Sequence, residues 1–358
     1  MKITKVKSWV EDLELTRPYV IAFETFDSAQ NLFVYLEAED GTYGLGAGSP
    51  APKITGEKME DSIELLNENL EALLVGKDFR EIHSLLRSTV NIFSKAPAAC
   101  AATDMALHDL FTKHLGVPLV NYLGRAHQSL PTSITIGIKS VEESIEEADE
   151  YVGRGFKILK LKTGKSLEED IERCLKIRAH VGPSIKIRID ANQGYTPKEL
   201  ETFVGKTRHM NYEFLEQPLK GTEYSDMLKV SEEIRKECAA DESLHFPEDA
   251  LNMAADPQPF GVYNIKLMKC GGIYQACRIA DIADIAKIDL MWGCMDESIV
   301  SIAAALHAAL ASPATKYIDL DGSLDLAKDI VDAGFQLKDG YMTTTDNPGI
   351  GYNLKIKI

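Results

Sequence analysis

The sequence predicts an α/β fold in which eight parallel strands close into a barrel behind an α+β domain. Three observations predict it. Short apolar runs recur about every 25 residues through the middle of the chain, helical patterns separate them, and charged residues stand where the runs end.

The eight runs are Thr132–Ile138, Phe156–Lys162, Ile185–Ala191, Tyr212–Glu216, Glu237–Asp241, Val262–Leu267, Ile288–Trp292 and Lys316–Leu320. Between them, Ser140 followed by Glu143 reads as a capping box ahead of a helix over Val141–Val152. Leu167, Ile171 and Leu175 fall on one helical face, and Thr196-Pro197 reads as an N-cap with proline at the first helical position. Ile299–Leu310 is alanine-rich and apolar nearly all round, so it packs tightly on the sheet. Alternating strands and helices imply a parallel sheet. An open doubly wound sheet is the alternative, but no dinucleotide glycine motif follows the first strand, and eight strands favour closure.

Residues 1–125 read differently. Ile3–Val10, Tyr19–Phe26 and Asn31–Glu39 look like antiparallel strands, and Glu57–Leu74, Arg80–Phe93 and Ala96–Leu115 look helical. The barrel then occupies 126–324. The tail from 325 to 358 carries one short helical stretch, then NPGIG and a strand-like end, and is expected to fold back and complete the first domain.

Charge excludes some partners. The chain holds 55 acidic against 39 basic residues, a formal net charge of −16, which repels nucleic acid and anionic membrane alike. Six cysteines form no C-x-x-C pair, the N-terminus lacks the apolar run of a signal peptide, and no stretch of eighteen apolar residues occurs. A cytoplasmic protein is expected. Outer barrel helices pack as well on solvent as on a second copy, so a homo-oligomer stays open.

In such a barrel the active site lies at the C-terminal strand ends. There the sequence places Lys160 and Lys162, then Asp190, Glu216, Asp241 and Lys266, and on the last strand Asp319 and Asp321. The steps from 190 to 216, 241 and 266 are 26, 25 and 25 residues, so four successive strands each offer one ionisable group at one height. A single acid at a strand end is ordinarily a helix cap. Three converging carboxylates repel one another unless a cation intervenes. An all-oxygen ligand set selects a hard ion such as Mg²⁺; a salt-bridge network with the lysines is the alternative. Lys160 and Lys162 end beside the expected metal, where a neighbouring cation lowers a lysine's pKa toward that of a general base, and Lys266 lies on the opposite side of the mouth. Metal on a substrate carboxylate stabilises the enediolate formed when the α-proton leaves. A base on each face then yields a racemase or epimerase, whereas a lyase or cycloisomerase needs only one.

These residues resemble the enolase superfamily in its muconate-lactonizing subgroup. The resemblance covers essentially the whole chain. It rests on K-x-K at Lys160–Lys162, D-A-N at Asp190–Asn192, E-Q-P at Glu216–Pro218, D-E-S at Asp241–Ser243, the segment Lys266–Ile273, and Ala101–Gly124 leading into the barrel. It implies a modified (β/α)7β barrel under an α+β capping domain, with Mg²⁺ on Asp190, Glu216 and Asp241. It further implies Lys162 and Lys266 as the acid/base pair, and Lys160 assisting the substrate carboxylate. Dipeptide epimerases in the subgroup carry a D-x-D like Asp319 and Asp321, which binds the substrate's N-terminal amine; the alternative is that the two aspartates cap a following helix. By position Thr135 and Cys294 line the substrate pocket. Specificity in this family lies largely in the loop near residues 17–27, here RPYVIAFETFD, in which Phe23 and Phe26 flank Glu24. Members acting on Ala-Glu have an arginine where Glu24 stands. The expectation is therefore an Ala-X dipeptide with X hydrophobic or small and uncharged. A cationic second residue meeting Glu24 is the competing reading, and a cycloisomerase or o-succinylbenzoate-synthase-type lyase on a dicarboxylate is the rival reaction.

Overall fold

A computed structural model describes residues 1–358 except Ala22 and Phe23, and except the side chains of residues 17–27 and of Glu223. The side chains of Glu24 and Phe26, and Phe23 altogether, thus lie outside the described residues.

The chain opens with an antiparallel sheet of β1 (Ile3–Ile21), β2 (Glu24–Ala38) and β3 (Tyr43–Gly48). Against it pack α1 (Met59–Leu74), α2 (Ile82–Ile92) and α3 (Pro97–Leu115). The three expected helices are present. The strands differ: β1 and β2 are one long hairpin rather than three pieces, and β3 went unforeseen. Its sequence, YGLGAG, has poor strand propensity. Contact explains it. A Cβ on Gly44, Gly46 or Gly48 would meet the carbonyl oxygen of Ala106, Ala102 or Ala98 at 2.1, 1.8 and 2.5 Å. Every second strand residue advances about 7 Å and every fourth helical residue about 6 Å, so the glycine row and the alanine row of α3 mesh along their length.

α4 (Leu119–Leu123) and β4 (Leu130–Pro131) lead into the barrel. Its strands are β5 (Ile134–Ile136), β6 (Ile158–Lys162), β7 (Lys186–Asp190), β8 (Leu215–Glu216), β9 (Cys238–Ala240), β10 (Val262–Ile265), β11 (Asp289–Trp292) and β12 (Thr315–Ile318). They are adjacent in chain order, and a parallel bridge between Thr132 and Ile318 joins the last to the first. All eight expected strands are present, each shorter than its apolar run. The intervening helices are α5 (Val141–Gly153), α6 (Leu167–Val181), α7 (Pro197–Thr207), α8 (Glu232–Lys236), α9 (Pro247–Met253), α10 (Leu267–Cys270), α11 (Ile273–Ala286) and α12 (Ile299–Ala311). Both expected N-caps form: Ser140 and Thr196 each share a capping box with the glutamate three residues on. Inside the barrel bottom, Phe214, Ala239, Val262 and Met291 form an apolar plug with Tyr317.

The tail contains no helix. It holds β13 (Val331–Ala333), β14 (Phe335–Lys338), β15 (Tyr341–Thr344) and β16 (Tyr352–Leu354). Paired short strands replace the expected helical stretch: β13 pairs with β16, and β14 with β15, which also pairs with β4. The tail touches both regions. Tyr352 donates to Asp109 of α3 at 2.6 Å, and β15 packs on α12. Among the described residues no helix is long and apolar enough to cross a membrane.

Candidate active site

Strand register builds the mouth in two layers. Thr135 pairs with Lys160, and Lys160 with Arg188. One residue pair higher, Lys162 pairs with Asp190 and Asp190 with Glu216. Asp241 does not share that level. Glu216 pairs with Ala239, so Asp241 stands just past the end of β9, and Lys266 likewise caps α10 just past β10. The even spacing in sequence concealed this shift, which is the stagger a closed barrel requires.

The outer lysines each hold an outer carboxylate. Lys162 Nζ lies 2.7 Å from Asp190 Oδ2 and 3.0 Å from Asn192 Oδ1, with its side chain 30% exposed. Lys266 Nζ lies 2.7 Å from Asp241 Oδ2 and is buried. Lys160 points upward between three carboxylates: 2.7 Å from Asp319, 2.9 Å from Glu216 and 3.2 Å from Asp190.

The carboxylates around Lys160 and Lys266 favour the protonated form of both lysines. Burial pulls Lys160 down, but Asp319, Glu216 and Asp190 outweigh it and leave the ammonium well above its ordinary value. Burial likewise opposes, and Asp241 with Glu216 overcomes, at Lys266, which is raised. Carboxylate charge at contact distance favours the protonated form.

Three residues not singled out in the sequence organise the carboxylates. Lys269, fully buried, donates to Asp241 Oδ1 and at 2.5 Å to its carbonyl. Gln217 Oε1 accepts from the amides of Asp241 and Ser243 at 2.9 and 3.1 Å, which explains why E-Q-P and D-E-S occur on adjacent strands. Asn264 donates to Glu216 Oε1 at 2.7 Å. Lys269 and Asn264 were legible only as neighbours of Lys266, three residues after and two before it.

Among the described residues no cluster of three acidic, His or Cys side chains is closed on a common point; lysines stand between the carboxylates. Mg²⁺ nevertheless fits. Glu216 Oε2 is buried without a hydrogen-bond partner, since Lys160 approaches it outside bonding geometry. Burial first, and then Asp190, push Glu216 up to about 7. Asp190 is held at about 2: burial opposes, but Lys162 and Lys160 prevail. Asp241 lies well below its ordinary value against the same burial, because of Lys266 and Lys269. A buried carboxylate short of positive charge beside two ionised ones is the deficit a divalent cation corrects.

Asp319 and Asp321 part company. No helix follows them, so they cap none. Asp319 is buried, bonded to Lys160 and, at 2.6 Å, to Ser133 Oγ. Asp321 is partly exposed; its Oδ2 accepts from the Thr135 amide at 2.9 Å, and burial with Asp319 pushes it up to about 7. Cys294 lies beside them, its Sγ accepting from Gly322 N at 3.3 Å. The cap reaches this rim: Asn31 of β2 accepts from Ser298 N at 3.0 Å, and the amide of Ser49, after β3, donates to Met268 Sδ at 3.2 Å. Asp190, Glu216, Asp241, Lys160, Lys162, Lys266, Asp319, Asp321, Thr135 and Cys294 thus all gather at the mouth.

A barrel mouth with opposed lysines around carboxylates defines an enzyme that moves a proton beside a substrate carboxylate. Family comparison agrees. Residues 3–124 match the mandelate racemase / muconate lactonizing enzyme N-terminal domain, and residues 143–357 the enolase C-terminal domain-like family. An L-Lys-D/L-Arg epimerase of Desulforapulum autotrophicum is 54% identical, the match covering 98% of this chain and 99% of that one. The Methylococcus capsulatus dipeptide epimerase, solved with Mg and L-Arg-D-Lys, superposes with a TM-score of 0.96 at 48% identity, over 99% and 100% of the chains. An Enterococcus faecalis dipeptide epimerase, solved with Mg and L-Leu-L-Tyr, gives 0.92 at 34%, over 99% and 100%. The chain belongs to the mandelate racemase / muconate lactonizing enzyme family of the enolase superfamily. It is an isomerase acting on amino acid derivatives, a dipeptide epimerase, with Mg²⁺ as cofactor.

Proposed function

We propose that this enzyme inverts the Cα of the C-terminal residue of cationic dipeptides built from lysine and arginine. The observation that carries this is the 54% identity, end to end, to an L-Lys-D/L-Arg epimerase. A mouth rich in carboxylates on a chain of net charge −16 supports it, as does Glu24 in the specificity loop. The expected Ala-X substrate with an uncharged X gives way to the competing cationic reading.

In this proposal Asp190, Glu216 and Asp241 hold Mg²⁺. Bound there, the ion supplies positive charge to the substrate carboxylate and so eases loss of the α-proton. Lys162 and Lys266 address the α-carbon from opposite faces, one taking the proton and the other returning one, which inverts the centre. Lys266 sits 2.7 Å from Asp241 and Lys162, the more exposed, 2.7 Å from Asp190, one for each face. Lys160 meets the carboxylate oxygens, whose charge grows as the enediolate forms. Asp321, with Asp319 behind it, receives the substrate's N-terminal ammonium, while Thr135 and Cys294 line the wall.

The test is a dipeptide library incubated in D₂O and read by mass spectrometry with chiral separation. L-Arg-L-Lys and L-Lys-L-Arg are expected to gain one deuterium at the C-terminal Cα with inversion. Exchange confined to Ala-X dipeptides, or to N-succinyl amino acids as in a 30%-identical racemase of Bacillus cereus, would overturn the proposal.

A further inference from the structure

Beneath the carboxylate layer the barrel interior carries a chain of contacts whose lower members, Ser133 and Arg188, the proposed reaction does not use. From the rim downward it runs Lys160, Asp319, Ser133, Arg188. We infer that Ser133 and Arg188 are positioning residues that fix Asp319 and, through it, the ammonium of Lys160. The inference rests on the reading of Lys160 as the group that meets the substrate carboxylate.

Lys160 has a flexible stem and three carboxylates within reach, Asp319 at 2.7, Glu216 at 2.9 and Asp190 at 3.2 Å. Asp190 and Glu216 belong to the proposed metal set. Asp319 is the one of the three outside it, and it is the nearest to the ammonium. The anchor is itself anchored. Ser133 Oγ lies 2.6 Å from Asp319 Oδ1, leaving Oδ2 to Lys160.

Direction is set by chemistry. A guanidinium only donates hydrogen bonds, and a serine hydroxyl has a single proton. Arg188 Nη1 donates to Ser133 Oγ at 2.9 Å, so the serine proton is left for Asp319. Arg188 cannot swing away. Its Nη1 also meets the Ile318 carbonyl at 2.5 Å, and its Nε meets Glu213 at 2.8 Å. Its guanidinium sits 5.4 and 5.2 Å from the rings of Phe214 and Tyr317 in the plug. Arg188, Ser133, Asp319 and Lys160 are all buried, with Ser133 fully inaccessible. Ile318 and Ser133 also lie where the first and last strands join, with the Ser133 amide donating to the Ile318 carbonyl at 3.3 Å. Barrel closure therefore sets the height at which Lys160 is held. Misplacing a reacting group by about 1 Å can cost roughly a hundredfold in rate.

The test is Ser133→Ala in the full-length Mg²⁺-loaded enzyme, with two readouts. The first is steady-state kinetics on whichever dipeptide the exchange screen identifies. We expect kcat to fall about tenfold or more while KM stays within about twofold, because the Lys160 contact strengthens as charge builds. The second is NMR of protein labelled with ¹⁵N at lysine Nζ. The Lys160 ammonium signal, assigned by its loss in Lys160→Met, is expected in the wild type and is expected to broaden or shift in Ser133→Ala. An unchanged signal would overturn the inference, and so would lower stability with wild-type kcat. The NMR arm needs no substrate. If no dipeptide is turned over, the proposed function fails while that arm still decides the relay.

Discussion

Replacing Lys160 by methionine probes the charge balance of the whole mouth. The ammonium lies 2.7, 2.9 and 3.2 Å from Asp319, Glu216 and Asp190, all in the barrel interior. With an effective dielectric near 20, each contact amounts to about 5–6 kcal/mol of Coulomb attraction. Most of that is offset by the cost of stripping water from four ions, and Glu216, raised to about 7, can relieve the variant further by taking a proton. Breaking a buried ion cluster from one side typically leaves a net loss of about 3–5 kcal/mol, which is the destabilisation expected for the metal-free Lys160→Met protein. Mg²⁺ supplies charge to two of the same carboxylates. It should therefore stabilise the variant more than the wild type, recovering roughly 2–3 kcal/mol at saturation. Urea denaturation followed by circular dichroism, in EDTA and in excess Mg²⁺, measures both quantities. Equal destabilisation with and without Mg²⁺, or none at all, would refute the reasoning.

Single replacement of Lys162 or Lys266 by alanine should abolish inversion and lower turnover by about 10²–10⁴-fold, leaving deuterium exchange on one enantiomer only, the opposite one for each variant; exchange of both enantiomers by either variant argues against two bases. Glu297, fully buried at the mouth, is pushed up to about 7 by burial. Its folded form keeps a proton the unfolded chain has lost, so stability falls as pH rises from about 4.5 to 7, by up to roughly 3 kcal/mol. Glu297→Gln should flatten that window; an unchanged slope between about pH 5 and 8 counts against it. Gly46→Ala drives a Cβ to 1.8 Å from the Ala102 carbonyl and should cost about 3 kcal/mol or more. Gly205→Ala, within α7 and with nothing inside 4 Å, should instead raise stability by about 0.5–1 kcal/mol, and thermal melts of the pair decide.

The barrel was legible because period and chemistry coincide: an apolar strand, a charged end, then a helix with its own cap, as at Ser140 and Thr196. The mouth was legible for the same reason, since Lys162, Asp190 and Glu216 end their strands. What stayed hidden depends on three-dimensional partners. β3 is a strand because α3 accepts its glycines, which no local propensity encodes. The raised pKa values of Lys160 and Lys266 follow from the carboxylates each meets, and Lys269 matters because α10 turns it back toward Asp241. Asp319 and Asp321 read alike in sequence, yet the chain leaves β12 at Ile318 and gives them different neighbours. The tail's helical pattern yielded to pairing between its short strands and with β4.

The interlock of β3 with α3 has an evolutionary consequence. The cap sheet is keyed to its helix backbone against backbone, so the sheet cannot slide to suit a new ligand. In the proposed assignment variation is left to the hairpin formed by β1 and β2, which carries Glu24, while the proton chemistry stays with the barrel. On that assignment one dipeptide could be exchanged for another by altering a few hairpin positions, with the reaction left intact.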